Sequence, residues 1–79
     1  MPRGLNNWTY RDVANFLKKH GFHLADQLPG SHEAWLNEET KAIININKHA
    51  GRTFPPRTMD TMVRQSNIDK KIWRKWVMS

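Results

Sequence analysis

Cysteine is absent from the chain of 79 residues. Its absence excludes disulfide bonds, zinc sites built from thiolates, and thiol nucleophiles. No apolar run approaches the roughly 18 residues that a helix needs to span a bilayer. Residues 1–5, Met-Pro-Arg-Gly-Leu, also lack the apolar stretch of a signal peptide. We therefore expect a cytoplasmic protein without a membrane partner.

Acidic residues are few and scattered, with 7 Asp and Glu against 13 Lys and Arg. Only Glu38 and Glu39 are adjacent, so no carboxylate cluster indicates a two-metal nuclease site. The four histidines lack the i, i+4 helical spacing of a zinc pair. The sequence thus predicts neither a metal site nor a cofactor.

The formal net charge of +6 predicts attraction to polyanions. The partner could be nucleic acid, an acidic protein or an anionic membrane surface. The same charge is also compatible with a surface that is only well solvated and binds none of them. The length corresponds to one domain over residues 1–79, with residues 1–7 as a loose N-terminal arm. Because so short a chain has a small core, we expect any chemistry to lie on an open face.

A first helix is predicted after Thr9, a preferred N-cap residue, with Asp12 three positions later as in a capping box. Val13, Phe16 and Leu17 have the i, i+3, i+4 spacing of its buried face. Three strands follow, over residues 22–25, 33–36 and 41–47. A Pro-Gly turn and a polar connection separate them, and isoleucines dominate the third.

A second helix is predicted from Pro55-Pro56, with Met59, Met62 and Val63 facing inward. A short terminal helix follows, capped by Asp69. The whole chain predicts an α+β sandwich whose helices cover one sheet face and leave the other open. The terminal helix has an apolar side of Ile72, Trp73, Trp76 and Val77, and a basic side of Lys70, Lys71, Arg74 and Lys75.

Histidine can cleave RNA without a metal, because it titrates near neutral pH and can serve as base or acid. The base would take the proton of the attacking 2′-hydroxyl, and the acid would protonate the leaving 5′-oxygen. Nearby lysine or arginine would stabilise charge on the phosphoryl oxygens. The residues available for this chemistry are His32, with Lys41, Lys48, His49 and Arg52 on the third strand and the loop after it.

The tripeptide Gly30-Ser31-His32, opening the second strand, resembles the Gly-Ser-His signature of the HicA (YcfA-like) toxin family. Residues 10–22 are similar to the family's first helix and strand, residues 47–49 to its later His-bearing segment, and residues 58–65 to its second helix. Together these segments extend the resemblance over roughly residues 9–68.

The resemblance implies an α-β-β-β-α fold like that of the double-stranded-RNA-binding domain, with an extra C-terminal helix here. It implies a metal-independent mRNA interferase that a HicB-type antitoxin neutralises. His32 would be the catalytic residue. The substrate-binding residues would be Gly30, Ser31, Lys41, Lys48, His49 and Arg52.

Two other functions fit the sequence. One is a non-catalytic RNA-binding module with the same fold, which recognises shape and phosphates. The other is a helix-turn-helix DNA binder that uses the basic last helix, although the strand-like residues 43–47 argue against it. Trp35 is expected either in the core or, on the open sheet face, stacked on a base.

Overall fold

The computed structural model describes residues 4–48 and 53–76. The three strands form one antiparallel sheet in the order β1-β2-β3. The predicted α+β fold is therefore confirmed, with helix, three strands, helix and a short terminal helix in the expected order. The elements are α1 (Tyr10–Lys19), β1 (Phe22–Gln27), β2 (His32–Asn37), β3 (Ile43–Asn47), α2 (Pro56–Ser66) and α3 (Lys70–Arg74).

Helix α1 begins at the predicted capping box. The Thr9 hydroxyl accepts a hydrogen bond from the Asp12 amide at 3.2 Å, and the Asp12 carboxylate accepts one from the Thr9 amide at 2.9 Å. These two bonds satisfy backbone donors that a helix N-terminus otherwise leaves without partners. His20 ends the helix as its C-cap.

Strand alternation gives the sheet one covered face and one open face. In β2, Glu33, Trp35 and Asn37 are buried, whereas His32 is exposed. In β3 the same alternation buries Ile44 and Ile46. The buried set packs with apolar residues of α1 and α2 in one core. Consecutive residues at the start of β2 thus point to opposite faces.

Strand β2 is one residue longer at each end than predicted, and two other strand boundaries differ by two residues. Strand β1 continues to Gln27 because a bulge between Leu24 and Asp26 lets the chain resume its pairing with β2. Strand β3 begins at Ile43 and not at Lys41, because Lys41 has a left-handed φ of 66°. Lys41 therefore belongs to the turn between β2 and β3.

Helix α3 is fastened to the domain by Trp73. Its ring stacks on Phe16 at a centroid distance of 4.0 Å, and its indole nitrogen donates to the Ser66 hydroxyl at 3.1 Å. The predicted Asp69 cap is present. Ile72, predicted on the apolar side of this helix, is 45% exposed. Val77 lies outside the described residues.

Residues 4–8 make defined contacts, although a loose arm was expected over residues 1–7. The Trp8 indole nitrogen donates to the Gly4 carbonyl at 2.8 Å, and Leu5 packs against the core. Trp8 itself is fully buried. Residues 1–3 of that arm lie outside the described part of the chain.

His20 predicts a pH-dependent stability. Burial, and then the charge of Lys19, lower the pKa of His20 below its ordinary value of 6.5. The unfolded state therefore binds a proton more readily, so the free energy of unfolding should fall as the pH drops below 6.5. Urea denaturation across this range measures the slope. We expect His20→Asn to flatten it, because asparagine takes up no proton in this range.

Candidate active site

The turn between β1 and β2 holds His32 at a fixed position. Gly30 has a φ of +76°, a left-handed conformation that glycine adopts without strain. The Leu28 amide donates to the His32 carbonyl at 2.9 Å, closing the turn. The Lys48 amide donates to the Ser31 carbonyl at 2.7 Å, which joins the turn to the end of β3. His32 is therefore anchored on both sides while its side chain remains exposed.

A cavity of about 220 Å³ opens at this end of the sheet. It brings together four residues that the sequence predicted as site residues: Gly30, Ser31, His32 and Lys48. A histidine and a lysine thus line one solvent-open recess, a combination suited to proton transfer beside an anion. Its remaining lining residues are Gln27, Leu28 and Glu33.

A larger cavity of about 510 Å³ lies between α2 and α3, and its lining includes Asp60 and Lys70. These two residues pair with each other at 3.3 Å. None of the described residues that line this cavity is a histidine, so they supply no group that titrates near neutral pH. The smaller cavity at His32 is therefore the better candidate for chemistry.

Comparison with known proteins identifies the family. A family model described as the HicA toxin of bacterial toxin–antitoxin systems matches residues 10–68. The chain belongs to the HicA toxin family. No curated protein and no solved structure matches it. The match begins at the first residue of α1, includes the whole sheet and α2, and ends before α3.

Membership makes the protein a toxin of a toxin–antitoxin system, and an antitoxin is its partner. Among the described helices, none combines the length and apolar character needed to cross a membrane. Within residues 4–48 and 53–76, no three His, Asp or Glu side chains are grouped as metal ligands would be.

Lys41, a predicted phosphate contact, lies at the opposite end of β2 in this HicA toxin. Five residue steps separate the two ends of β2, a length of about 16 Å at strand spacing. The Lys41 ammonium lies 3.6 Å from the Glu38 carboxylate, which also lies 3.1 Å from His23. Any contact between Lys41 and RNA would therefore involve a different phosphate from the one beside His32.

His49 and Arg52, also predicted to bind substrate, lie outside the described residues. Lys48, directly before them, is described, and its ammonium nitrogen lies 5.1 Å from the centre of the Tyr10 ring. That distance is within the range of a cation–π contact. The first residue of α1 therefore meets the cation of the His32 cavity.

Sequence reasoning missed Glu33 and Tyr10, which lie directly behind this site. Glu33 is 4% exposed, and its Oε1 accepts hydrogen bonds from the Tyr10 hydroxyl at 2.8 Å and the Trp35 indole at 3.1 Å. Burial, followed by the hydrogen bond to Glu33 and its charge, raises the pKa of Tyr10 to about 12. The sequence did contain a signal for Glu33. Residues two positions apart in a strand point to the same face, so a core position for Trp35 also places Glu33 in the core.

Trp35 is a core residue of the toxin. It is 2% exposed, so of its two predicted placements packing is confirmed and base stacking on the open face is wrong. Its partner in β3 is Ile44, which is also buried. The open face at this level therefore carries no aromatic ring from Trp35.

Proposed function

We propose that this toxin is a metal-independent endoribonuclease that cleaves mRNA, with His32 as its general acid/base. The observation that carries the proposal is that the exposed His32 and the basic residue Lys48 line the same cavity. Membership of a toxin family supports it, because destruction of mRNA is a direct way to arrest growth. The open position of His32 lets a phosphodiester approach without any rearrangement of the core.

In the proposed reaction, the ribose 2′-oxygen attacks the adjacent phosphorus, and the bond from phosphorus to the 5′-oxygen breaks. A base removes the 2′ proton and an acid supplies a proton to the leaving oxygen. His32 performs one of these transfers, which typically contributes about 10²–10⁴-fold in rate. Lys48 stabilises charge on the phosphoryl oxygens. Gly30 and Ser31 line the recess that receives the phosphate.

The residues expected in the loop after β3 complete the proposed binding surface. His49 follows Lys48 directly and Arg52 lies four positions after it, so we propose that they add further contacts to the RNA backbone. Lys41 would contact the RNA backbone further along the sheet. Such phosphate contacts give affinity that falls as salt rises.

We further propose that a HicB-type antitoxin inhibits the toxin by covering the open sheet face. This face carries His32 at one end and the cross-strand pair of Leu36 and Ile43 at the other. Ile43 is 54% exposed, which gives a protein partner an apolar contact that RNA would not need. A partner seated there would also block access to His32.

The products of RNA cleavage test the proposal. We expect the purified toxin to cut a single-stranded RNA in the presence of EDTA and to leave 2′,3′-cyclic phosphate ends. An otherwise identical RNA with 2′-deoxyribose at the cleaved positions should remain intact there, because it lacks the nucleophile. Binding of RNA without any cleavage would instead support the non-catalytic RNA-binding module.

A further inference from the structure

We propose that Glu33 is a positioning residue that acts through Tyr10 to hold the Lys48 ammonium at the rim of the His32 cavity. The inference rests on the proposed function in one respect, namely that Lys48 binds the phosphate of the substrate RNA. The inference adds two residues, the buried Glu33 and Tyr10 of α1, to those on which substrate binding depends.

Glu33 is one of the residues that line the His32 cavity, but at 4% exposure it offers the substrate almost no surface. Strand alternation turns its side chain toward the helices, opposite to that of the neighbouring His32. A carboxylate removed from water in this way costs free energy unless hydrogen bonds compensate it. The donors from Tyr10 and Trp35, at 2.8 and 3.1 Å, provide that compensation. We therefore assign the effect of Glu33 on RNA to the residues it holds.

Tyr10 connects this carboxylate to the cavity. Its hydroxyl is fixed by Glu33, and its ring lies under the Lys48 ammonium at 5.1 Å. A phenol that donates to a carboxylate has a more electron-rich ring, which attracts a cation more strongly. The negative charge of Glu33, beside the Tyr10 hydroxyl, adds to that attraction.

Lys48 needs such a support because its four-carbon side chain is flexible. Only its backbone is fixed by the turn, through the bond from its amide to the Ser31 carbonyl. Contact with the Tyr10 ring restricts where the ammonium can lie, and Lys48 is one of the residues that line the His32 cavity. A cation held in advance at the phosphate site loses less conformational entropy when RNA binds.

Glu33→Gln is the first test, and Glu39→Gln is its matched control. Both remove one carboxylate from β2 or the turn after it, but Glu39 is exposed at the far end of β2. We expect Glu33→Gln to raise KM for RNA about two- to fivefold, the fold-change of an exposed cation–π contact. Because Lys48 binds the phosphate and also stabilises its charge during reaction, kcat should fall by no more than the same factor. Glu39→Gln should leave both constants unchanged.

Two spectroscopic signals test the same contacts in the free protein. Protons above an aromatic ring are shifted upfield, so the side-chain resonances of Lys48 should stand apart from those of other lysines and move toward them in Glu33→Gln. Tyr10 is the only tyrosine in the chain, so tyrosinate absorbance reports its ionisation alone. Glu33→Gln should lower the pKa of Tyr10 from about 12, with burial still keeping it above 10.0.

Tyr10→Phe is the second variant, which keeps the ring but removes its bond to Glu33. It should shift the Lys48 resonances and raise KM in the same direction as Glu33→Gln, and it carries the test if Glu33→Gln does not fold. Unchanged Lys48 resonances and unchanged KM in the folded variants would overturn the inference. If the wild-type toxin does not cleave RNA, the proposed function fails, and the Lys48 resonances still decide whether Glu33 positions the ammonium.

Discussion

Replacement of His32 by alanine is expected to lower kcat/KM for RNA cleavage by about 10²–10⁴-fold, the usual contribution of one general acid/base. The fold should survive, because the His32 side chain is exposed and its structural bonds use the backbone. RNA affinity should change little, since Lys48 remains in the cavity. Single-turnover cleavage and a filter-binding titration on the same RNA measure the two effects separately.

His23→Ala is the matched control for this substitution. His23 is an exposed histidine of the same sheet, and its partner in β2 is Leu36, near the end remote from His32. Its removal also deletes one imidazole from the sheet, but we expect cleavage to continue at the wild-type rate. Equal losses in the two variants would mean that His32 has no special role and that histidines act only through general surface properties.

Replacement of Trp73 by alanine should destabilise the toxin by about 3–5 kcal/mol, the range found when large aromatic residues are removed from cores. Trp73 is 0% exposed, stacks on Phe16 at 4.0 Å and lies 5.4 Å from Trp8. Its loss would also leave the Ser66 hydroxyl without the indole donor. For a domain with a total stability of about 5–15 kcal/mol, this change removes a large share.

The neighbouring Ile72→Ala is the control for Trp73→Ala, because Ile72 belongs to the same short helix and is 45% exposed. We expect it to change stability by less than about 1 kcal/mol. Denaturant unfolding of both variants measures the difference. If Trp73→Ala proved as mild as Ile72→Ala, α3 would be an appendage of the domain and not part of its core.

Features that depend on neighbouring residues could be predicted from the sequence. The Thr9 and Asp12 capping box, the Asp69 cap and the isoleucine-rich strand each involve residues within one turn or one strand. Their hydrogen bonds and periodicities involve residues that are close in sequence, so the local sequence pattern is enough to predict them. The same holds for the turn at Gly30, which exposes His32.

Features that depend on distant residues could not be predicted in this way. Glu33 is buried because Tyr10, 23 residues earlier, supplies a hydroxyl to its carboxylate. Helical periodicity placed Ile72 on one side with Trp73, but of these two residues only Trp73 is buried, against Phe16. These pairings require the complete fold and leave little trace in local spacing.

Of the residues that the sequence predicted for the site, four lie together at one cavity, namely Gly30, Ser31, His32 and Lys48. His32 is the first residue of β2, whereas Lys41 lies in the turn after the last residue of β2. The length of the strand therefore separates Lys41 from His32. Lys48 joins His32 because the antiparallel pairing of β2 with β3 brings Asn47 opposite His32. Strand direction and register, rather than charge alone, determine which basic residue reaches the cavity.

Chemical rescue of His32→Ala with free imidazole tests the central claim most directly. The cavity at this position is open, so a small base can occupy the place of the missing ring. The account predicts that the cleavage rate of His32→Ala rises with imidazole concentration, and that the wild-type rate does not. A folded, RNA-binding His32→Ala protein whose cleavage rate stays the same at every imidazole concentration would contradict it.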